Sequence, residues 1–411
     1  MVDIADTSLT RGASIADAAD RRSRQAASDT AIQPLTAISE DAWRLLAARA
    51  IEPNGYYLPG WELAVNASAV GRTGTSALAA WSDAAPSAQL TGLLPVISMW
   101  RAYRIPLPAL VSGHPYGTLC TPLLDADHAE AGAAALIRSA REVGAHALIL
   151  REVATEGAAM AAISAALQRE GLRPRPLQSH VRACLDATRD SEELLQEALG
   201  AKKLKELRRQ RNRLADHGAI SFDVARSPDD VRAATEIFLA LEASGWKAQR
   251  GTALIQSEGD TAFIRRATQA LAATRQCEVI TLRAGTTPVA SGVVLRHLDR
   301  AFYFKIGVDE RFSKFSPGVQ LTLDLTKHLC GDPDIASADS TAGPDHPMIN
   351  PIWRGRLAIG DVLVPLRRND PMVPLIEMAW RGRQLARDLA RRGVHWLRQR
   401  TKPAPTPPPA R

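Results

Sequence analysis

The sequence predicts an α+β protein: mixed, mostly antiparallel sheet flanked by helices, in two units joined by a long basic helix. Three observations predict it. Helical patterns alternate with short apolar runs of strand length through residues 36–187 and again through 218–368. Three strand-like runs follow one another between Cys277 and Val308, separated only by turns at Gly285-Thr286 and Asp299-Arg300, as in an antiparallel meander. The 411 residues, 45% hydrophobic and 23% charged, suffice for a sizeable core in two or three domains.

The elements follow in chain order. Residues 1–30, rich in Ala, Ser, Asp and Arg, read as a disordered tail. The first unit, 36–187, opens with a helix over "ISEDAWRLLAARA", with Ser39 as its N-cap. A strand over "AQLTGLLPVISMW" follows, then a helix ending at Gly144, a strand over "HALILREV", a helix ending at Gly171 and a strand over "VRACLDA". Residues 188–217 form the linking helix, capped by Asp190 and Glu193 and stopped by Gly218. Its leucines recur near helical spacing, and its other face is basic.

The second unit, 218–368, begins with the strand "AISFDVAR". In the next helix Ser227 caps, Pro228 takes the first position, and Asp229 and Asp230 suit the dipole. A second helix, the three-strand meander, a loop, a third helix, a short strand around "IASAD", an irregular segment and the strand "AIGDVLVPLRR" complete it. Residues 374–400 form a basic amphipathic helix that packs on its own protein or lies on a membrane surface or partner. Residues 401–411 are Pro-rich and extended.

The formal net charge is +7, concentrated in Lys202–Arg213 and Arg381–Arg400. Such runs are solvated helix faces or sites for anionic partners. Cys120, Cys184, Cys277 and Cys330 lack the spacing of a zinc site or a disulfide framework, which suits a reducing cytoplasm, and no metal is expected. No apolar run approaches the roughly 18 residues of a membrane span, and no apolar segment follows Arg21-Arg22 to make a signal peptide.

The most informative stretch is "YFKIGVDERFSKFSPGVQLTLDLTKHL", Tyr303–Leu329. An aromatic strand turns through a basic loop and enters a helix at Ser316-Pro317-Gly318. It is a plain capped helix start, or a place where loop and helix N–H groups hold a phosphate. On the strand, Phe302, Phe304 and Ile306 alternate with Tyr303, Lys305 and Gly307, which puts Lys305 opposite a buried face.

The order of the second unit resembles the GNAT acyltransferase fold. With "YYLPGWELA", "TPLL", "RACLDA", "KKLKELRRQRNRL", "ASGVVL" and "ADSTAGPDHPMINPIW", the chain resembles in particular the BioF2-like or CelD-like branch, associated with cellulose and exopolysaccharide synthesis and related to the Fem peptidyltransferases. The resemblance implies tandem GNAT-like domains, the first degenerate, and acetyl-CoA or another acyl-CoA as co-substrate. It implies that Arg311, Lys314, Phe315, Ser316, Gly318 and Val319 hold the donor. Ser316 caps or contacts phosphate, and Gly318 allows close approach. His346 and Asp339 lie in the acceptor region as proton acceptor and orienting group, with Lys305 and Asp309 as further catalytic candidates. Trp246, Lys247 and Tyr303 line the acceptor side.

Three functions fit. The first is a cytoplasmic acyltransferase, peripheral at the inner membrane face, acting on an amine or hydroxyl of a sugar or envelope precursor. The second is an aminoacyl-tRNA-dependent transferase, although nucleic acid is not the expected partner. The third is a non-catalytic scaffold that meets polysaccharide-synthesis partners through the C-terminal helix.

Overall fold

The computed structural model describes residues 32–82, 88–113, 115–244 and 253–400. The expected tails at 1–30 and 401–411, and Trp246 and Lys247, lie outside these residues.

The first half contains β1 (Gln33–Pro34), α1 (Glu40–Ala48), α2 (Pro59–Ser68), β2 (Ser76–Trp81), β3 (Leu90–Ser98), α3 (Met99–Tyr103), β4 (Ala109–Ser112), β5 (Leu123–Leu124), α4 (Ala129–Glu142), β6 (Ala147–Ala154), α5 (Ala158–Arg169) and β7 (Arg175–Asp186). Then come α6 (Ser191–Leu214), β8 (Ile220–Ala225), α7 (Pro228–Ser244), α8 (Glu258–Ala273), β9 (Cys277–Ala284), β10 (Thr287–His297) and β11 (Arg300–Val308). The chain ends in α9 (Pro317–Cys330), β12 (Ser337–Asp339), β13 (Gly355–Pro365) and α10 (Met372–Arg400). The predicted α+β class is the class observed.

Local chemistry sets the helix ends. The Asp190 carboxylate accepts from the N–H groups of Glu192 and Glu193 at 2.9 Å, opening α6. Ser227 Oγ accepts from Asp230 N–H at 3.2 Å at the start of α7. The linking helix is not straight: Gly200, at φ 72° and ψ 161°, breaks it into two segments. Gly218, at φ 137°, stops it where the backbone passes Gly285, so a Cβ at 218 would lie 2.5 Å from Gly285 N. Gly218→Ala therefore combines strain with a backbone clash. It is expected to cost at least about 2 kcal/mol, read as a lowered denaturation midpoint.

All described strands form one sheet, in the order β1-β2-β3-β4-β6-β13-β7-β12-β11-β10-β9-β8, with β5 on β3. Pairing is antiparallel except for β4–β6 and β11–β12. The last strand of the sequence-defined second unit, β13, lies between β6 and β7 of the first half. β7 in turn pairs with β12. The two halves thus share strands across a seam.

The core has three parts. One runs between the halves, where Trp61 meets Tyr56, Phe263 and Phe304 edge-on at ring-centroid distances of 5.4, 5.0 and 4.8 Å. A second fills the space under α9, and a third seats the start of α10.

β11 departs from simple alternation. Its register with β10 shifts between Val293 and Val294, which oppose Lys305 and Tyr303 and leave Phe304 as the extra residue. The bulge reverses the phase. Ile306 packs with Tyr303 in the core under α9, while Phe304 stays with Phe302 in the core between the halves. Lys305 is thereby turned toward α7 on Phe304's side of the sheet.

Candidate functional site

β11 and β12 run in parallel but pair only at Arg300–Ser337, Ala301–Ala338 and Phe302–Asp339. Beyond Tyr303 they part. Thr341 secures the branch point, its hydroxyl donating to the Tyr303 carbonyl at 2.6 Å. The further edge of β11, to Val308, then has no strand beside it. Such an edge can pair with an extended ligand through main-chain hydrogen bonds.

At the far end of this edge is the basic loop. A 3-10 turn over Glu310–Phe315 leads into α9, whose first residue is Pro317. Gln320 N–H bonds back to Ser316, so the N–H groups of Gly318 and Val319 point out of the first turn with no acceptor in the helix itself. Ser316 does not cap. Its left-handed backbone, φ 53° and ψ 53°, replaces the extended conformation an N-cap side chain needs, and it makes no cap hydrogen bond. Lys314 Nζ lies 4.8 Å above the Phe315 ring. Phe315 is itself buried beside His217, an anchor more than a ligand contact. Val319 is half-buried against the core under α9.

Gly318 serves packing. A Cβ there would meet Met348 Sδ at 3.1 Å and Val308 Cγ1 at 3.3 Å, so the segment after β12 covers the helix start. His346, half-buried, lies two residues before Met348 on that segment.

The acidic and basic candidates have defined partners. Arg311 forks onto Asp309, with Nη2 to Oδ2 at 2.7 Å, and Asp309 also caps the 3-10 turn. The guanidinium holds the Asp309 carboxyl below its usual range, so it is a weak base. Lys305 Nζ donates to Glu242 Oε1 at 3.0 Å, and the other Glu242 oxygen accepts from Leu254 N–H. Lys305 thus ties β11 to α7 and to the far end of the 245–252 connection.

Asp339 is fully buried. Arg182 Nη2 donates to one of its oxygens, and Thr341 N–H donates to the other at 2.8 Å. Arg182 Nη1 donates to the Thr118 carbonyl at 2.7 Å. The sequence expected Asp339 to orient His346; these contacts make it instead the clamp that fixes the branch point of β11 and β12. Close by, the buried Tyr56 hydroxyl, Thr118 hydroxyl and Arg182 Nε make no hydrogen bond among the described residues. Burial raises the Tyr56 phenol well above its usual range. Tyr303, 6% exposed, lies against Gly292 and Trp353 and faces the core under α9.

The first half repeats the strand arrangement without the site. β4 pairs with β6 in parallel over Ala109–Val111. Past β4 the chain enters no helix and returns to β3 through β5. The space beneath Gly113 is filled by Arg72, whose Nη1 donates to the Pro115 carbonyl at 2.6 Å and whose Nη2 donates to both Glu62 oxygens.

The largest cleft, about 1120 Å³, opens at the opposite end of β11, lined by Arg226, Glu278, Arg296, His328 and Asp332. Its central charges are mutually paired. Burial alone would raise the Glu278 carboxyl, but His328, Arg296 and Arg226 outweigh it and hold it at about 2, against an ordinary 4.5. A depressed carboxylate contributes stability above its unfolded value and loses it as pH falls through the folded one. Glu278→Gln should accordingly flatten the loss of stability between pH 4.5 and 2, a difference of about 2–3 kcal/mol in acid titrations followed by circular dichroism.

Residues 201–346 match the family model described as acetyltransferase (GNAT) domain. That stretch begins in α6 and runs through β12 to His346. The fold is similar to that of FemX, with TM-score 0.54 and 12% identity over 83% of this chain and 98% of that one. It is also similar to the C-terminal domain of a protein described as a lysylphosphatidylglycerol synthetase from Agrobacterium fabrum, with TM-score 0.51 and 13% identity over 83% and 95%. A conserved protein of unknown function from Bacteroides thetaiotaomicron gives TM-score 0.50 at 13% identity over 80% and 98%. No curated protein matches the chain in sequence. The C-terminal half thus contains a GNAT-type acetyltransferase domain within a GNAT fold.

The sequence reading missed Glu242, Arg182 and Tyr56. Glu242 had a signal: it stands in the apolar register of α7 with Val231, Thr235 and Phe238. Arg182 and Tyr56 lie in the motifs "RACLDA" and "YYLPGWELA", but nothing local shows that they meet.

Proposed function

We propose that the C-terminal half is an acyl-CoA-dependent acyltransferase of the CelD-like branch, moving an acetyl or other acyl group to an amine or hydroxyl of a sugar, polysaccharide or envelope precursor. One observation carries the reading: the β11–β12 pair opens at Tyr303, and the opened edge leads to the N-terminal turn of a helix. An extended pantetheine arm can pair along β11, and the pyrophosphate can then meet the Gly318 and Val319 N–H groups, with Lys314 and Arg311 supplying charge. The acceptor approaches from the side of Lys305, Glu242 and the connection bearing Trp246 and Lys247. Its nitrogen or oxygen attacks the thioester carbonyl, the C–S bond breaks, and the proton passes through His346 to solvent while thiolate leaves. The reaction is placed at the cytoplasmic face.

The test is release of coenzyme A thiol from acetyl-CoA with a panel of amino sugars and hexoses. Lys314→Glu reverses a charge at an exposed position without touching the core. It should raise KM for acetyl-CoA about tenfold, the loss of one charge-assisted contact. No release with any acceptor, and no acetyl-CoA binding, would sink the reading.

One observation favours an aminoacyl-tRNA donor. The basic C-terminal segment of α6 runs beside the loop, where His217 just beyond it stacks on Phe312 and Phe315. Affinity for tRNA that falls steeply with salt, without acetyl-CoA binding, would support that donor.

A further inference from the structure

α10 has two apolar faces. Val373, Ile376 and Trp380, each at most 2% exposed, seat its first turns against Met99, Val111 and Leu363. A helix that only packs on its own protein needs nothing more. Yet Leu375, Met378, Leu385 and Leu389 are 44, 64, 62 and 57% exposed. Their spacing of three, seven and four residues, with Gly382 filling the gap, aligns them in one stripe on the side away from Ile376 and Trp380. Exposed large apolar residues elsewhere in the described chain are scattered; four of them share this stripe.

The charge around the stripe is one-sided. Residues 372–400 carry seven arginines against Glu377 and Asp388. Glu377 is already paired, to Arg381 at 2.8 Å and Arg175 at 3.3 Å. A second element adds the same chemistry alongside. Arg383 stacks over Tyr103 of α3 at 4.4 Å, and α3 also bears Trp100, 52% exposed, with Arg104 over its ring at 5.6 Å. An exposed leucine–methionine stripe among arginines, beside an exposed tryptophan, complements an anionic lipid surface: the apolar side chains enter the acyl boundary and the guanidinium groups stay at phosphate level. No helix among the described residues is long and apolar enough to cross a membrane, so the contact is with one leaflet.

We infer that α10, with Trp100, docks the protein on an anionic membrane surface. This holds whether or not the acyl-transfer reading stands. The test is flotation of the full chain with vesicles of phosphatidylcholine alone and of phosphatidylcholine containing phosphatidylglycerol, at about 0.1 M salt. The full chain is expected to float with the anionic vesicles, to do so much less with neutral ones, and to be partly released by salt. Leu385→Glu/Leu389→Glu, at exposed positions that leave the thermal midpoint unchanged, should lower the bound fraction at least tenfold. Failure of the full chain to bind anionic vesicles overturns the inference, as does undiminished binding by the double variant. Self-association in sedimentation velocity that the double variant abolishes, without vesicle binding, would assign the stripe to a second copy of the chain instead.

Discussion

Arg182→Ala is expected to lower the stability of the whole chain by about 3–5 kcal/mol, because it strands the buried Asp339 carboxylate without its counterion. The pair is 1% and 0% exposed and joins β7 of one half to β12 of the other. Its loss therefore loosens the seam of the sheet and the branch point of β11 and β12 together. The pair itself is not expected to be worth that much. Arg182→Met/Asp339→Leu, which removes both charges and keeps the volume, should recover most of the loss. Equilibrium denaturation of wild type, single and double variants measures the difference. A single variant as stable as wild type would mean that water reaches Asp339 and that the clamp is not closed.

Arg72→Ala should be comparably damaging, at about 3–5 kcal/mol, and for a reason that bears on function. Arg72 and Glu62 are both 0% exposed, and Arg72 fills the space beneath the backbone at Gly113. That space corresponds, in the first half, to the region that follows β11 in the second. The first half keeps the parallel pair but has replaced ligand space with an internal ion pair. Arg72→Ala should thus destabilise without lowering the affinity for acetyl-CoA of the molecules that remain folded. A loss of affinity larger than the loss of folded protein would place a donor site in the first half.

Much of the fold was legible because local rules decide it. Ser227-Pro228-Asp229-Asp230 announces α7 through side-chain capping and a fixed φ, and both act within four residues. The β9–β10–β11 meander is announced by its turns. What was not legible depends on contacts distant in sequence. β2 and β4 are short and Ala- or Leu-rich, with no alternation to mark them. The insertion of β13 between β6 and β7 rests on pairings such as Val364 with Leu148. The bulge opposite Val293 depends on the neighbouring strand, so simple alternation put Ile306 and Lys305 on the wrong sides of β11. At the site, the loop and α9 were readable from Ser316-Pro317-Gly318. The partners of its charges were not: Arg182 lies 157 residues from Asp339, and Lys305 lies 63 from Glu242. The same distance effect recast Gly318, whose bare Cα makes room for Met348.

Calorimetric titration of acetyl-CoA into the full chain tests the central claim most directly. The account predicts one molecule bound per chain, with affinity about tenfold weaker in Lys314→Glu and an unchanged thermal midpoint for that variant. Two molecules per chain, no binding, or binding indifferent to Lys314→Glu would contradict a single donor site at the opening of β11 and β12.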